Sequence, residues 1–172
     1  RENLLTKQDL DESASGYYWS RYRKYFPKTG MPLKVLEATD DATNRILQLT
    51  PRTQSPEFLC KGMVIGDVQA GKTGNYTALI TKASDLGYRL IIVLTGVTEN
   101  LRAQTQARLD KDFIGANSDA EGNPGAQEKI GIGRIQDSLG KRPGTFTDCA
   151  MDFRYTPRFS LPAQNSPVLI VT

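Results

Sequence analysis

Histidine is absent from the chain of 172 residues, and cysteine occurs only at Cys60 and Cys149. Without histidine the chain has no means to form a His-ligated zinc site, a Ser-His-Asp triad or a Cys-His dyad. Two cysteines are also too few for a disulfide framework, which favours a reducing cytoplasm. The two can pair with each other, but we expect buried free thiols.

Long apolar runs are lacking as well, since no stretch approaches the ~20 residues that a membrane-spanning helix needs. The first residues, from Arg1 onward, are charged and contain no apolar signal-peptide core. The net charge of +3 is mild and permits a nucleic-acid partner without requiring one. These observations predict a globular cytoplasmic protein with no membrane partner, and they leave its oligomeric state open.

The sequence does contain a phosphate-binding signature, G-x-x-x-x-G-K-S/T, between a short apolar run and a helical pattern. Its residues are Gly66, Asp67, Val68, Gln69, Ala70, Gly71, Lys72 and Thr73. The glycines let the backbone N–H groups point inward as an anion-binding nest, and the following helix adds its positive end. Lys72 can reach the β- and γ-phosphates, and the Thr73 hydroxyl can hold Mg²⁺. The motif predicts binding of ATP and Mg²⁺, with Lys72 and Thr73 as the catalytic pair; the alternative is a chance match on a glycine-rich turn.

Residues 1–56 are predicted to form a helical extension, with a loose polar lead-in over 1–16 and helices over 17–26 and 33–49. The first of these helices interleaves aromatic residues with Arg21, Arg23 and Lys24. Such a pattern can stack nucleobases, but we favour a helix that packs its aromatic face inward and leaves its basic face in solvent.

Residues 57–172 are predicted to form a P-loop nucleotide-binding domain. A strand near 62–65, a helix over 72–86 and a buried-type strand over 88–94 make a right-handed βαβ unit. A helix over 99–112 and a strand over 167–172 follow, with short strands proposed at 130–133 and 145–147. The fold class is therefore α/β, a RecA-like P-loop NTPase with a parallel sheet flanked by helices.

Apolar periodicity also predicts which helix faces are buried. In the helix after the motif the predicted stripe is Tyr76, Leu79, Ile80, Ala83 and Leu86. In the next helix the residues predicted to face inward are Leu101, Thr105 and Leu109, and those predicted to face solvent are Arg102, Gln104, Gln106 and Arg108.

A P-loop NTPase also needs an acidic residue after a buried strand, to hold Mg²⁺ and activate water. No apolar run in this sequence ends in Asp-Glu. We therefore expect an incomplete motor domain, truncated before its acidic Walker B motif, that hydrolyses essentially no ATP alone. Two other functions stay open: a P-loop kinase for a small molecule or nucleotide, and a non-enzymatic module that senses nucleotides.

Three stretches, residues 66–77, 87–96 and 100–110, together with the Phe113-Ile114-Gly115 triplet, resemble the Z-one domain family of bacterial proteins described as endonucleases. The family is similar to superfamily 2 helicase motors and occurs in restriction-like defence operons beside MutL/Hsp90-type ATPases. The resemblance implies a DNA-directed ATPase in restriction or anti-phage defence, with DNA and a MutL/Hsp90-type ATPase as partners. It also implies a DNA-backbone contact by the residues of motif Ia, which here are Thr95, Gly96, Arg102 and Gln104. Gln48 lies upstream of the motif at a distance where helicases often bind adenine, but for a lone glutamine we favour an ordinary surface position.

Overall fold

A computed structural model describes residues 4–55, 59–65, 72–118, 128–136, 139–153 and 166–172, with the backbone alone at Lys72 and Thr73. The chain divides into two compact units, Arg1–Tyr88 and Arg89–Thr172. From the sequence we predicted a domain boundary between residues 56 and 57, ahead of the segment that contains the phosphate-binding motif. That boundary stays a prediction.

The described residues of the first unit form helices joined by short turns. These are Lys7–Ser13 (α1), Tyr17–Tyr25 (α2), the 3₁₀ turn Phe26–Thr29, Leu33–Leu47 (α3) and Lys72–Asp85 (α4). α2, α3 and α4 confirm the predicted helices, and Pro27 ends α2 as expected.

α1 replaces the loose lead-in that the sequence predicted over residues 1–16. The hydroxyl of Thr6 accepts a hydrogen bond from the Asp9 N–H, and the Asp9 carboxylate accepts one from the Thr6 N–H at 2.6 Å. This reciprocal pair is a capping box, which satisfies two helix-end donors at once. The hydrogen bonds from Thr6, helped by Arg52, lower the pKa of Asp9 to about 2.

α4 packs against α2 and α3 with a face that contains polar residues. Its buried residues are Thr77, Ala78, Ile80, Thr81, Lys82 and Ser84. Of the predicted stripe only Ile80 is fully buried, while Tyr76, Leu79, Ala83 and Leu86 are half-buried.

Lys82 is the charged residue on the buried face of α4, and its partners show why that face differs from the predicted apolar stripe. Its ammonium donates to the carbonyl of Asp40 at 2.9 Å, to the amide oxygen of Asn44 at 2.7 Å and to the Asp40 carboxylate, and it lies 4.5 Å from the centre of the Trp19 ring. Burial lowers the pKa of Lys82, against the opposing hydrogen bond and charge of Asp40. A cation with this set of partners can occupy a buried position that apolar periodicity does not identify.

The described residues of the second unit form a small parallel sheet with a helix beside it. The elements are Leu90–Val93 (β1), Glu99–Leu109 (α5), the π-turn Asp110–Ile114, the 3₁₀ turn Gly131–Arg134, Gly144–Thr145 (β2) and Val168–Val171 (β3). The strand order is β1-β3-β2, and Leu90 pairs with Val168 and Val93 with Val171. All four residues of β3 are buried, as a central parallel strand requires. The predicted α/β class is confirmed at this level.

The strand predicted near 62–65 does not form. Residues 59–65 adopt no regular structure, and Met63 and Ile65 are 83% and 84% exposed. An apolar run becomes a strand only where a neighbouring strand pairs with its N–H and C=O groups, and no described residue does so here. The predicted βαβ unit therefore lacks its first strand.

The short strand predicted at 130–133 is instead the 3₁₀ turn Gly131–Arg134, which packs against Gly115. A Cβ on Gly133 would lie 1.8 Å from the carbonyl oxygen of Gly115, so this approach needs glycine. The pair of glycines in this stretch thus serves a close backbone contact.

Two further expectations concern thiols and membranes. Both cysteines are free, as expected, but Cys60 is exposed and Cys149 half-buried, so the prediction of buried thiols was wrong. Within the described ranges every helix is too short or too polar to cross a bilayer.

Candidate functional site

The predicted phosphate loop precedes α4 directly. Residues 66–71 lie outside the described ranges, and α4 begins at Lys72, the lysine of the motif. α4 is 14 residues long, and the first N–H groups of a helix have no partner within it. A helix N-terminus therefore follows the glycine-rich sequence, in the order that a phosphate-binding loop has.

The carboxyl end of α4 is hydrogen-bonded to α2 within the first unit. The carboxylate of Asp85, in the last turn of α4, accepts hydrogen bonds from the N–H groups of Tyr18 at 3.0 Å and Trp19 at 2.8 Å. These bonds link the last turn of the helix that begins at Lys72 to the first turn of α2.

An apolar groove of about 510 Å³ lies between the end of α3, α4 and residues 60–64 in the first unit. Among its lining residues are Leu47, Leu49, Pro51, Met63, Leu79 and Tyr88. Gln48 caps the carboxyl end of α3 and is exposed beside this groove's Leu47 and Leu49. Its adenine contact stays a prediction.

The second unit has a cleft of about 320 Å³ at the carboxyl ends of β1 and β3, the edge where parallel sheets bind ligands. Residues 94–99 line one side, and Arg102, Asp152 and Thr172 line the other. The Thr95 N–H donates to the carbonyl of Thr172 at 2.8 Å, and the Thr172 hydroxyl donates to the Asp152 carboxylate at 3.1 Å. The cleft is therefore built from hydrogen-bonded loops that leave adjacent strands.

Arg102 forms the buried wall of this cleft and is 2% exposed. Its Nε donates to the Glu99 carboxylate at 2.8 and 3.0 Å, and its terminal nitrogens donate to the carbonyls of Asp148 at 2.8 Å and Cys149 at 3.1 Å. The hydrogen bond that Arg102 donates to Glu99 raises the pKa of Arg102, and the same bond lowers the pKa of Glu99. The guanidinium is thus committed to internal partners, contrary to the solvent-facing position that the sequence predicted.

The four residues of the predicted DNA contact are only partly brought together. Thr95, Gly96 and Arg102 line the cleft, with Thr95 half-buried and Gly96 exposed. Gln104 is exposed elsewhere on α5, where its amide donates to the Asn100 side chain at 3.3 Å. Their contact with DNA stays a prediction.

A second buried network fixes α5 one turn further along. Gln106, predicted to face solvent, is fully buried; its amide donates to the Asp110 carboxylate at 2.8 Å and accepts from the Thr147 hydroxyl at 2.8 Å. Thr147 in turn accepts from the backbone N–H of Val171 in β3 at 3.0 Å. The inward face of α5 is therefore Arg102, Gln106 and Leu109, and Leu101 is 48% exposed.

Two acidic residues near the cleft, Asp148 and Asp152, were not predicted from the sequence to belong to a site. Both lie in residues 136–166, which are poorly patterned apart from the short strand predicted at 145–147. Their charges, with that of Glu99, raise the pKa of Arg102. In the part of the chain that the structure covers, no three acidic or cysteine side chains are grouped to hold a metal ion.

Comparison of this chain with protein-family models, with curated proteins and with solved structures gives no match.

Proposed function

We propose that this chain binds the phosphates of ATP with residues 66–73 and is the ATP-binding part of a DNA-directed, helicase-like ATPase. The observation that carries the proposal is the start of α4 at Lys72, directly after the glycine-rich sequence. A phosphate-binding loop needs this order, because loop amides and helix N-terminus must converge on one anion.

The residues present fit a nucleotide and its metal in part. Lys72 would neutralise the β- and γ-phosphates, and the Thr73 hydroxyl would hold Mg²⁺. Mg²⁺ is usually held by a carboxylate as well, and no apolar run in the sequence ends in the Asp-Glu pair that would supply one. ATP supplies the phosphoryl group; this chain supplies binding and charge neutralisation.

The DNA-directed part of the proposal comes from the resemblance of residues 66–77, 87–96 and 100–110 to the Z-one domain family. From the same resemblance we propose a role in restriction or anti-phage defence in the cytoplasm, with a MutL/Hsp90-type ATPase as a partner. The cleft at the ends of β1 and β3, which Thr95 and Gly96 line, is the proposed position of motif Ia.

Calorimetric titration of the chain with ADP and ATP, each with and without Mg²⁺, tests the nucleotide site. Because the loop and helix end act on phosphates alone, both nucleotides should bind weakly and with similar affinity. Phosphate release should be negligible. Absence of any binding by either nucleotide would contradict the proposal.

A further inference from the structure

One surface of the first unit is strongly basic. Residues 17–36 contain five Arg and Lys residues and no Asp or Glu. Arg21 is buried, and the other four are exposed: Arg23, Lys24, Lys28 and Lys34. We name these four residues the basic surface.

Part of the basic surface borders a groove of about 360 Å³ between α2 and α3. Ser20, Arg23 and Lys24 line it from α2, and Leu33 and Leu36 line it from α3. Arg23 and Lys24 stand in the last turn of α2, and Lys28 follows in the 3₁₀ turn. Arg23, Lys24 and Lys28 therefore lie within six consecutive residues, and Lys34 follows in the first turn of α3.

These cations have few acidic neighbours to neutralise them. Among the described residues no salt bridge involves any of the four. Glu37 and Asp41 follow on α3 and are exposed, while Asp40 pairs with Lys82. The basic surface thus keeps an uncompensated positive charge that attracts polyanions.

The aromatic residues in the middle and last turn of α2 are not available to a ligand, and Tyr17 in its first turn is half-buried with Arg21 over its ring. Trp19, Tyr22 and Tyr25 are 1%, 3% and 5% exposed, because they form the packed core of this unit. Binding of single strands without sequence preference relies on stacking of bases on exposed aromatic rings. A surface with cations and no accessible rings can contact phosphates but cannot stack bases.

We propose that the basic surface binds the phosphate backbone of duplex DNA without reading its sequence. The proposal rests on the DNA-directed part of the proposed function and gives it a surface that the motif Ia resemblance does not include. An acidic protein is the less suitable partner, because three of the four cations are lysines, which protein interface cores disfavour. Lysine binds phosphate well as a compact point charge.

The test compares two triple variants of the chain with equal changes in charge. Arg23→Gln/Lys24→Gln/Lys28→Gln removes three cations from the basic surface. The control, Arg45→Gln/Lys7→Gln/Lys61→Gln, removes three exposed cations elsewhere in the same unit. Glutamine is a good helix former, so neither change should unfold α1, α2 or α3. Binding of a short fluorescein-labelled DNA duplex is measured by anisotropy from about 50 to 200 mM salt.

Each lost phosphate contact reduces the slope of log affinity against log salt by about 0.9, so the basic-surface variant should lose about 2.7 from the slope. The control should keep the wild-type slope, and two duplexes of unrelated sequence should bind equally. Equal salt slopes in the two variants would overturn the proposal. It would also be overturned if poly-glutamate bound the wild type as tightly as DNA does and the basic-surface variant lost affinity for both to the same extent.

The same variants separate this proposal from the nucleotide site. ATP affinity should be unchanged in both, since neither alters residues 66–73. DNA binding that depends on the basic surface, in a chain that binds no ATP, would support this proposal and contradict the ATP-binding part of the proposed function. ATP binding without any DNA binding would contradict this proposal and leave the nucleotide site intact.

Discussion

Glu99 accepts hydrogen bonds from the Nε atom of Arg102 at 2.8 and 3.0 Å, and this pair joins the first turn of α5 to the loop at Asp148 and Cys149. Arg102 therefore organises the wall of the cleft from inside. A direct contact with DNA would require the guanidinium to leave three sets of partners. The basic surface is free of such competition and is the better candidate for phosphate contacts.

Replacing Arg102 should mainly destabilise the fold. Arg102→Ala leaves the carbonyls of Asp148 and Cys149 without their donors. Loss of these two hydrogen bonds from the charged guanidinium should lower the free energy of unfolding by about 2–4 kcal/mol in total. Gln104→Ala, an exposed change on the same helix, should cost less than about 0.5 kcal/mol. Urea unfolding of both variants measures the difference. Wild-type stability in Arg102→Ala, together with weaker DNA binding, would instead support the motif Ia contact.

Gly16 is required where α2 begins. A Cβ at this position would lie 2.3 Å from the Cγ atom of Asp85, whose carboxylate caps Tyr18 and Trp19. Gly16→Ala should displace that carboxylate and lower the free energy of unfolding by about 1–3 kcal/mol. Gly62→Ala is the matched control, since nothing lies within 4 Å of its Cβ position. Equal thermal midpoints for the two variants would show that Asp85 keeps its hydrogen bonds even when residue 16 carries a Cβ.

The capping box of α1 should make stability depend on acid pH. The pKa of Asp9 is lowered from 3.8 to about 2, so its ionised form stabilises the fold above pH 3.8. This contribution is lost as the pH falls through the folded value. Asp9→Asn should therefore unfold at a lower temperature than wild type at neutral pH, and the gap should close as the pH falls toward 2. Gln8→Ala, an exposed change in the same helix that leaves the capping box intact, should keep the pH dependence of the wild type.

Periodicity predicted α2, α3, α4 and the two longer strands. β1 was predicted to be a buried strand, but it alternates exposed and half-buried residues because it lies at the edge of the sheet. On α5 periodicity was correct for Leu109 but wrong for Arg102 and Gln106, whose burial depends on hydrogen bonds rather than on hydrophobicity. Lys82 is a similar case in α4. A polar side chain with a complete set of partners is favourable inside a protein, and no local pattern reveals those partners.

α1 was missed because it is a short polar helix that depends on its capping box and on packing of Leu10 against Leu47. The strand near 62–65 was predicted from an apolar run alone, and Val64 is 63% exposed where no strand pairs with it. Asp152 lines the cleft from a loop, and Asp148 lies in the same loop, where its carbonyl accepts from Arg102. Loop positions follow from the whole fold, so the sequence offers no signal for them.

We infer that residues 66–73 bind the phosphates of ATP. A calorimetric titration with ATP that compares Lys72→Ala with the control Lys61→Ala tests this inference most directly. Lys61 is an exposed lysine ahead of the motif, so its loss changes the net charge equally. We predict that Lys72→Ala weakens ATP affinity by about tenfold to a hundredfold, because it loses a charge-assisted hydrogen bond, while Lys61→Ala binds ATP like the wild type. Equal ATP affinity in the two variants would contradict phosphate binding by residues 66–73.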